Sequence, residues 1–307
     1  MLRSGKPARV SVAIAACNAE ANIGAILRAV SSQKNDSVTI HEIIVHSDHS
    51  TDRTVVIAGT WPDPRIRVVD SRIRGGFAAS VAAIIAAFTG DALVILNDDI
   101  RIQDAAFIEK IVAPLFRDNA DFVAANTQPL PPRTFFERAS VSVFRVWERI
   151  RESLPQRDNV FTCDGAAMCL SARLARSIDW PADLAQAGNV DAFLYFTCLR
   201  ANFKYVHARD AVACSRSPAS LRDYIARNVR NDSQRLLLAQ RFGPMVANAF
   251  KIPPGLYWKS VAQEILQNPT GALFIFALRS FITIKAKRAA RNVSPVWDIV
   301  KSSKDLD

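Results

Sequence analysis

The sequence predicts an α/β fold in which a mostly parallel sheet carries helices on both faces and a C-terminal helical extension follows. Three observations predict it. Short apolar runs alternate with helix-period segments from residue 9 to residue 125. Those runs are continuously apolar rather than alternating, as strands buried on both faces must be. From residue 218 onward the pattern is helical, punctuated by Pro244, Pro253, Pro254 and Pro269.

In chain order, residues 9–15 read as a strand, 21–32 as a helix, 42–45 as a strand and 52–58 as a helix. The alternation continues with a strand at 66–69, a helix at 77–89, a strand at 92–96, a helix at 104–117 and a strand at 122–125. Ligands of such sheets bind beyond the carboxyl ends of the strands, so the loops after these runs are where chemistry is expected. Pro129, Pro131 and Pro132 then precede an amphipathic stretch, 135–154, in which Phe136, Val143, Phe144, Trp147 and Ile150 approximate helical spacing. Residues 161–212 mix short strands and helices.

The chain has 307 residues, half of them hydrophobic, enough for one large α/β domain, residues 1–235, with a helical, basic appendage, residues 236–307. A net charge of +10 calls for an anionic partner. Nucleic acid is not the expected one, because the positive charge concentrates beside apolar residues near the C-terminus instead of forming a stripe with interleaved aromatics. Five cysteines without C-x-x-C spacing suggest neither a disulfide framework nor a zinc site and fit a reducing cytoplasm. The N-terminus lacks an export signal's uninterrupted apolar region. Residues 271–284, interrupted by Arg279, fall short of the roughly 20 apolar residues that a bilayer crossing needs.

Three strand ends carry candidate chemistry. After the first come Ala15, Ala16, Cys17, Asn18, Ala19 and Glu20, small and polar residues that let a flat base approach the backbone. After the second comes Asp48, placed to accept from a base N–H, with Ser50 or Thr51 either beside the ligand or simply capping the next helix. The run at 93–96 delivers Asn97, Asp98 and Asp99. Adjacent carboxylates there need a positive neighbour, and a hard cation, Mg²⁺ or Mn²⁺, bridging a diphosphate supplies it. The alternative is an acidic turn ahead of the helix at Asp104.

In this order and spacing the segments resemble the nucleotide-sugar half of family 2 glycosyltransferases of the GT-A fold, a Rossmann-like architecture. Residues 12–20 look like that family's opening strand and Asn-Glu turn, with Gln33 closing its first helix. Residues 43–54 look like its Asp-Asp-Gly-Ser-x-Asp-x-Thr segment, and residues 97–99 like its Asp-x-Asp metal motif. The resemblance implies Asp48 near the base, Asp99 at the metal and Asp98 near the donor. Gly75 and Gly76 resemble the turn beside the nucleotide-sugar, although alone they could be a plain turn. Gly165 falls in the acceptor-side loop. Asp191 inherits the general base, which takes the acceptor hydroxyl's proton, with a helix N-cap as its alternative. Arg230 matches one position of the Gln-x-x-Arg-Trp segment; together with Arg227 it either offsets the leaving diphosphate or forms a solvated basic face. The chain departs from the family at Ser47, Asn97, Val190, Arg227 and Asn231. With no export-channel helices in view, a processive polysaccharide synthase is not expected.

The resemblance implies inverting transfer from a nucleotide-diphosphate sugar, a UDP-sugar foremost, to a hydroxyl, in cell-envelope glycan or glycolipid synthesis. The competing reading is a non-catalytic binding or scaffold protein that kept the sheet. The first strand's turn lacks the glycine-rich phosphate loop of a nucleotidylyltransferase and the G-x-G-x-x-G of a dinucleotide-dependent oxidoreductase. Finally, apolar residues 272–278 run into Arg279, Lys285, Lys287, Arg288 and Arg291. That combination suits either peripheral contact with an anionic membrane on its cytoplasmic face, with a lipid, lipid-linked or saccharide acceptor, or a helix packed on the domain or on a partner.

Overall fold

The computed structural model describes residues 7–184, 189–289, 304 and 306. Its elements run β1 (Ala8–Ala16), α1 (Ile23–Ser31), β2 (Val38–Ser47), α2 (Thr54–Gly59), β3 (Ile66–Asp70), α3 (Gly76–Ala87), β4 (Ala92–Asn97), β5 (Ile100–Arg101), α4 (Phe107–Arg117), β6 (Phe122–Pro129) and α5 (Phe135–Ser153). There follow β7 (Ala167–Ser171), α6 (Ala172–Ser177), α7 (Val190–Arg200), β8 (Tyr205–Ser215), α8 (Leu221–Phe242), α9 (Pro244–Ala249), α10 (Pro254–Gln267) and α11 (Pro269–Ala289). Every strand and helix expected up to residue 125 is present, with ends shifted by a few residues.

The strands form one eight-stranded sheet in the order β3-β2-β1-β4-β7-β6-β8-β5. Strands β1, β2, β3 and β4 are mutually parallel, as their continuous apolar runs require. Beyond β4 the sheet is mixed, since β7 runs antiparallel to both β4 and β6. Only Asp98 and Asp99 separate β4 from β5, yet β5 pairs with β8 at the far end of the order. The sheet must therefore curl until its last strand returns beside the end of β4, because two residues span under about 11 Å.

Both faces are covered. Ile43 and Val45 with Val94 and Leu96 face α1 and α4, while Ile44 with Leu93 and Ile95 face α3 and α7, the alternation that a pleated strand imposes. Gln33 ties α1 to α4: its amide donates to the Asp104 carbonyl at 3.0 Å and accepts from the Ile108 N–H at 2.9 Å.

The prolines act as the sequence suggests. Helix α5 starts after the run at 129–132 with a capping box, in which Thr134 and Glu137 each accept the other's backbone N–H at 3.1 and 3.0 Å. Gly243, at φ 58°, ends α8, and Pro244, Pro254 and Pro269 are the first residues of α9, α10 and α11. Helix α8 runs without a break past residue 235, and α10 and α11 pack against α5, with Ile150 beside Val261 and Ala139 beside Ile282. No helix among the described residues is long and apolar enough to cross a membrane. Of the basic cluster, the side chains of Arg279, Lys287 and Arg288, and Arg291 altogether, lie outside the described residues.

Candidate active site

Strand register builds the site. Ala15 of β1 lies opposite His46 of β2 on one side and Asn97 of β4 on the other. The turns after these strands therefore open on one sheet edge and bring Asn18, Asp48 and Asp98 into one region. Asn18 takes φ 50°, a conformation its short polar side chain tolerates. Its side-chain Oδ1 accepts from the Thr51 N–H at 2.8 Å, while the Glu20 carboxylate accepts from the Arg53 N–H at 3.1 Å. Both residues thus staple the first turn to the second, and Glu20 is exposed. Asp48 is buried; its two oxygens accept from the backbone N–H groups of Gly75 and Gly76 at 2.7 and 2.9 Å. Gly76 sits at φ 81°, which an L side chain rarely adopts, and a Cβ on Gly75 would meet the Ala79 Cβ at 2.6 Å, so each glycine of the pair is needed for its own reason.

On the same edge, Asp98 Oδ2 accepts from the Cys17 N–H at 2.8 Å and from Lys304 Nζ at 2.7 Å. Burial raises the Asp98 carboxyl, against the pull of the lysine. Burial and then the charge of Asp98 push Asp99 up to about 6, opposed by Lys304 and Arg227. A carboxyl raised in this way is one that a cation would return to its charged form, so the pair fits a hard divalent ion. Among the described residues no three His, Cys, Asp or Glu side chains gather to hold a metal. The remaining ligands must then come from substrate oxygens and water, as Mg²⁺ and Mn²⁺ accept.

The antiparallel pairing of β7 with β4 sets Ala167 opposite Leu96, and the Asn97 N–H donates to the Ala166 carbonyl at 2.9 Å. The loop carrying Asp164 and Gly165 is thereby held beside the acidic motif. A Cβ on Gly165 would lie 3.4 Å from Asp191 Oδ2, so the glycine lets the backbone approach that carboxylate closely. Asp191 stands in the first turn of α7, where its Oδ1 accepts from the Ala192 N–H at 2.7 Å. Its carboxyl is pushed up to about 6 by burial, with Asp164 adding to the rise.

Arg230 on α8 joins the two acidic centres. Burial and then Arg227 lower its pKa, whereas Asp99 and Asp191 both raise it, so one guanidinium interacts with both. The site thus gathers Asp98, Asp99, Gly165, Asp191 and Arg230, with Asp48 and Gly76 paired on the same sheet edge. Sequence reasoning missed two contributors. Asp164 was legible only as part of a loop. Lys304 stands 206 positions from Asp98, and no local signal connects the two. Trp180 stacks on Phe193 at 5.2 Å between ring centroids and packs against the core from its edge.

The sequence profile of glycosyl transferase family 2 matches residues 11–174. No curated protein matches the chain. Among solved structures, a mannosyltransferase from Pyrobaculum calidifontis, in complex with GDP-Man and Mn²⁺, is 18% identical with a TM-score of 0.61; the match covers 94% of this chain and 88% of that one. Glucosyl-3-phosphoglycerate synthase from Mycobacterium tuberculosis, in complex with Mn²⁺, uridine-diphosphate and phosphoglyceric acid, is 20% identical with a TM-score of 0.57, covering 78% and 80%. Likeness at this level of identity establishes the GT-A fold.

Proposed function

The chain belongs to glycosyl transferase family 2, and from that premise we propose that it moves a sugar from a nucleotide-diphosphate donor to a hydroxyl acceptor, with inversion at the anomeric carbon. The observation that carries this reading is the placement of the loop at Gly165 between the acidic motif and Asp191: the Asn97 N–H donates to the Ala166 carbonyl at 2.9 Å, and a Cβ on Gly165 would lie 3.4 Å from Asp191 Oδ2. Asp99, with Asp98 beside it, holds Mg²⁺ or Mn²⁺, which when bound neutralises charge on the leaving diphosphate. Asp191 takes the acceptor's proton as its oxygen attacks; a carboxyl near 6 is still mostly ionised at neutral pH yet a better base than an ordinary aspartate. Arg230, with Arg227 behind it, offers further positive charge to the departing phosphate oxygens. A single base and a direct displacement imply inversion.

Asp48, Gly76, Ala15 and Asn18 line the sheet edge where the nucleoside belongs, and Glu20 supports that turn from outside. The solved neighbours carry GDP-Man and UDP, so both nucleotides are candidate leaving groups. The acceptor is a saccharide, lipid or lipid-linked hydroxyl. A lipid-borne acceptor agrees with an exposed apolar face on α10 and α11, where Trp258, Leu266, Leu273, Phe281 and Ile284 reach solvent and Lys285 lies over the Phe281 ring. On this reading the enzyme sits peripherally on an anionic leaflet, at the inner face of the cytoplasmic membrane, and serves envelope glycan or glycolipid synthesis.

Calorimetric titration with UDP and with GDP, each with and without Mn²⁺, tests the reading. We expect one nucleotide to bind only with metal, and Asp99→Ala to abolish that binding. Metal-independent binding, or binding unchanged in the variant, would remove Asp99 from the role given to it. Nucleotide binding without any sugar transfer would favour the scaffold reading.

A further inference from the structure

We propose that the cavity walled by the end of α5, the turn at Val160–Thr162 and strands β6 and β8 is an oxyanion-binding site, which takes a phosphate-type group on His207, Arg151 and Arg209. The inference does not depend on the transferase reading. Its basis is the way the cavity is built. Asn126, Arg151, Glu152, Thr162, His207 and Arg209 line a space of about 400 Å³, its open mouth included. The register of β6 on β8 passes from Ala125 opposite Ala208 to Asn126 opposite Val212, so residues 209–211 bulge out of the ladder and carry Arg209 to the cavity. Asn126 Nδ2 holds that bulge by donating to the Arg209 carbonyl at 3.1 Å. Beside it on β8, both ring nitrogens of His207 are buried and, among the described residues, have no hydrogen-bond partner.

Two arguments make the ligand an anion. The first is hydrogen bonding. A neutral imidazole has one N–H to donate, and leaving that donor buried and unpaired costs free energy that a ligand oxygen would recover. Other polar groups of the wall are engaged elsewhere: Thr162 Oγ1 donates to the Asn159 carbonyl at 2.7 Å, and the Asn126 amide bonds the Arg209 carbonyl and Gln128. The second is charge. Burial and then Arg151 and Arg209 push the His207 ring down to about 4, so the potential at the imidazole is positive although acidic groups stand near. Of these, Glu148 faces Arg151 at 3.4 Å, and Asp158 accepts the His207 backbone N–H at 3.0 Å. Glu152 is exposed, and Asp210 in the bulge acts on Lys110 and Arg117 of α4. Two guanidiniums disfavour a cation here, whereas an oxyanion would accept from both and from the ring. Thr162 precedes Gly165 by three residues, at most about 11 Å of chain, so the site borders the acceptor-side loop.

The test is calorimetric titration of the full-length protein with sulfate at constant ionic strength, with thermal melting to verify that each variant is folded. Sulfate does not titrate near neutral pH, so any change of its affinity with pH belongs to the protein. An anion on the ring favours the charged form, so the His207 pKa rises on binding, and affinity should grow about tenfold as the pH falls from about 8 to about 5. His207→Gln should lose that dependence. Arg209 is exposed, and Arg209→Ala keeps the carbonyl that Asn126 holds, so this variant should fold normally yet bind sulfate about tenfold more weakly. Absence of sulfate binding to the wild type overturns the site and leaves the cavity to water. Binding that Arg230→Ala abolishes and Arg209→Ala spares belongs to the donor site and overturns it too. Inorganic phosphate and glycerol 3-phosphate, titrated side by side, separate the two sources of such a group. Tighter binding of the ester, weakened by Arg209→Ala, means an oxyanion carried on a larger ligand that reaches toward the acceptor-side loop; equal or weaker binding, equally dependent on Arg209, means a free oxyanion.

Discussion

At the scale of single residues, the site is governed by carboxylates held where their charge is costly. Asp191 bears the clearest consequence. Its carboxyl is raised from 3.8 to about 6, so transfer should fall as the pH drops through about 6 and the base becomes protonated. A pH–rate profile of turnover at saturating donor checks this; a limb near 4 would mean that the residue is not desolvated in solution. The same shift has a stability sign. The folded protein binds this proton more tightly than the unfolded chain, so the group's penalty is absent below about pH 4, grows as the pH rises toward about 6 and is constant above that. Asp191→Asn should therefore stabilise the fold by roughly 1–2 kcal/mol near pH 8, after discounting for partial exposure, and by nothing in acid, as denaturant melts at both values would show. Gly165 is coupled to the same carboxylate. In Gly165→Ala the new Cβ would stand 3.4 Å from Asp191 Oδ2, an ordinary contact, so the alanine should be accepted with kcat within about threefold of wild type, whereas Gly165→Val, reaching further toward the carboxylate, should lower kcat by about tenfold or more. Much of this was legible in sequence, because aspartates at strand ends advertise themselves. The contact of Lys304 with Asp98 was not, since it joins residues 206 positions apart and local pattern does not encode such a pairing.

At the scale of elements, the start of α3 and the clamp between α5 and α10 carry distinct predictions. Asp48 accepts the N–H groups of Gly75 and Gly76 from the neighbouring strand end, so it caps α3 in trans while standing at the nucleoside edge. Asp48→Ala should cost roughly 1–3 kcal/mol in denaturant unfolding as well as nucleotide affinity. Asp48→Asn, retaining one acceptor, should recover part of the stability; equal losses in both variants would show that the carboxylate's charge, not its hydrogen bonds, holds the turn. Between α5 and α10, Glu264 is fully buried and accepts from Arg149 Nη2 at 2.8 Å, with Arg145 at 3.7 Å. Removing one member of a buried pair strands the other, so Arg149→Ala should destabilise by roughly 3 kcal/mol, and Arg149→Ala with Glu264→Leu by much less, a double-mutant cycle being the measurement. Elements bounded by proline or by a capping box were predictable from sequence, because those residues fix backbone geometry locally. The two-residue strand β5 was not, because pairing with β8, rather than any periodicity of its own, makes it a strand, and β7 and β8 were legible only as part of a mixed stretch at 161–212.

At the scale of the whole molecule, the curl of the sheet and the surface of its last two helices decide how the site meets its surroundings. The curl was not readable from sequence, since it follows from β5 pairing with β8 rather than with a sequence neighbour. It brings the acidic motif, carried between β4 and β5, toward the start of α8 with its two arginines. The apolar surface of α10 and α11 was half-legible: the hydrophobic run at 272–278 stood out, but Trp258 and Leu266 did not announce themselves as exposed. They are, at 65% and 84%, alongside Leu273 at 59%. Exposed apolar side chains of this size are candidates for cover by a second surface. An anionic leaflet and a second copy of the chain respond oppositely to the same experiment. Membrane docking predicts sedimentation with vesicles containing phosphatidylserine, weakened by salt and lost on neutral vesicles, with the protein monomeric in solution at every concentration. Burying a tryptophan and a leucine contributes roughly 1.5–3 kcal/mol each, so Trp258→Ala with Leu266→Ala should weaken vesicle binding by about a hundredfold and leave nucleotide binding untouched. A protein that ignores vesicles and instead dimerises with concentration, and becomes monomeric in that double variant, would assign the face to self-association and leave the acceptor free to be a soluble saccharide.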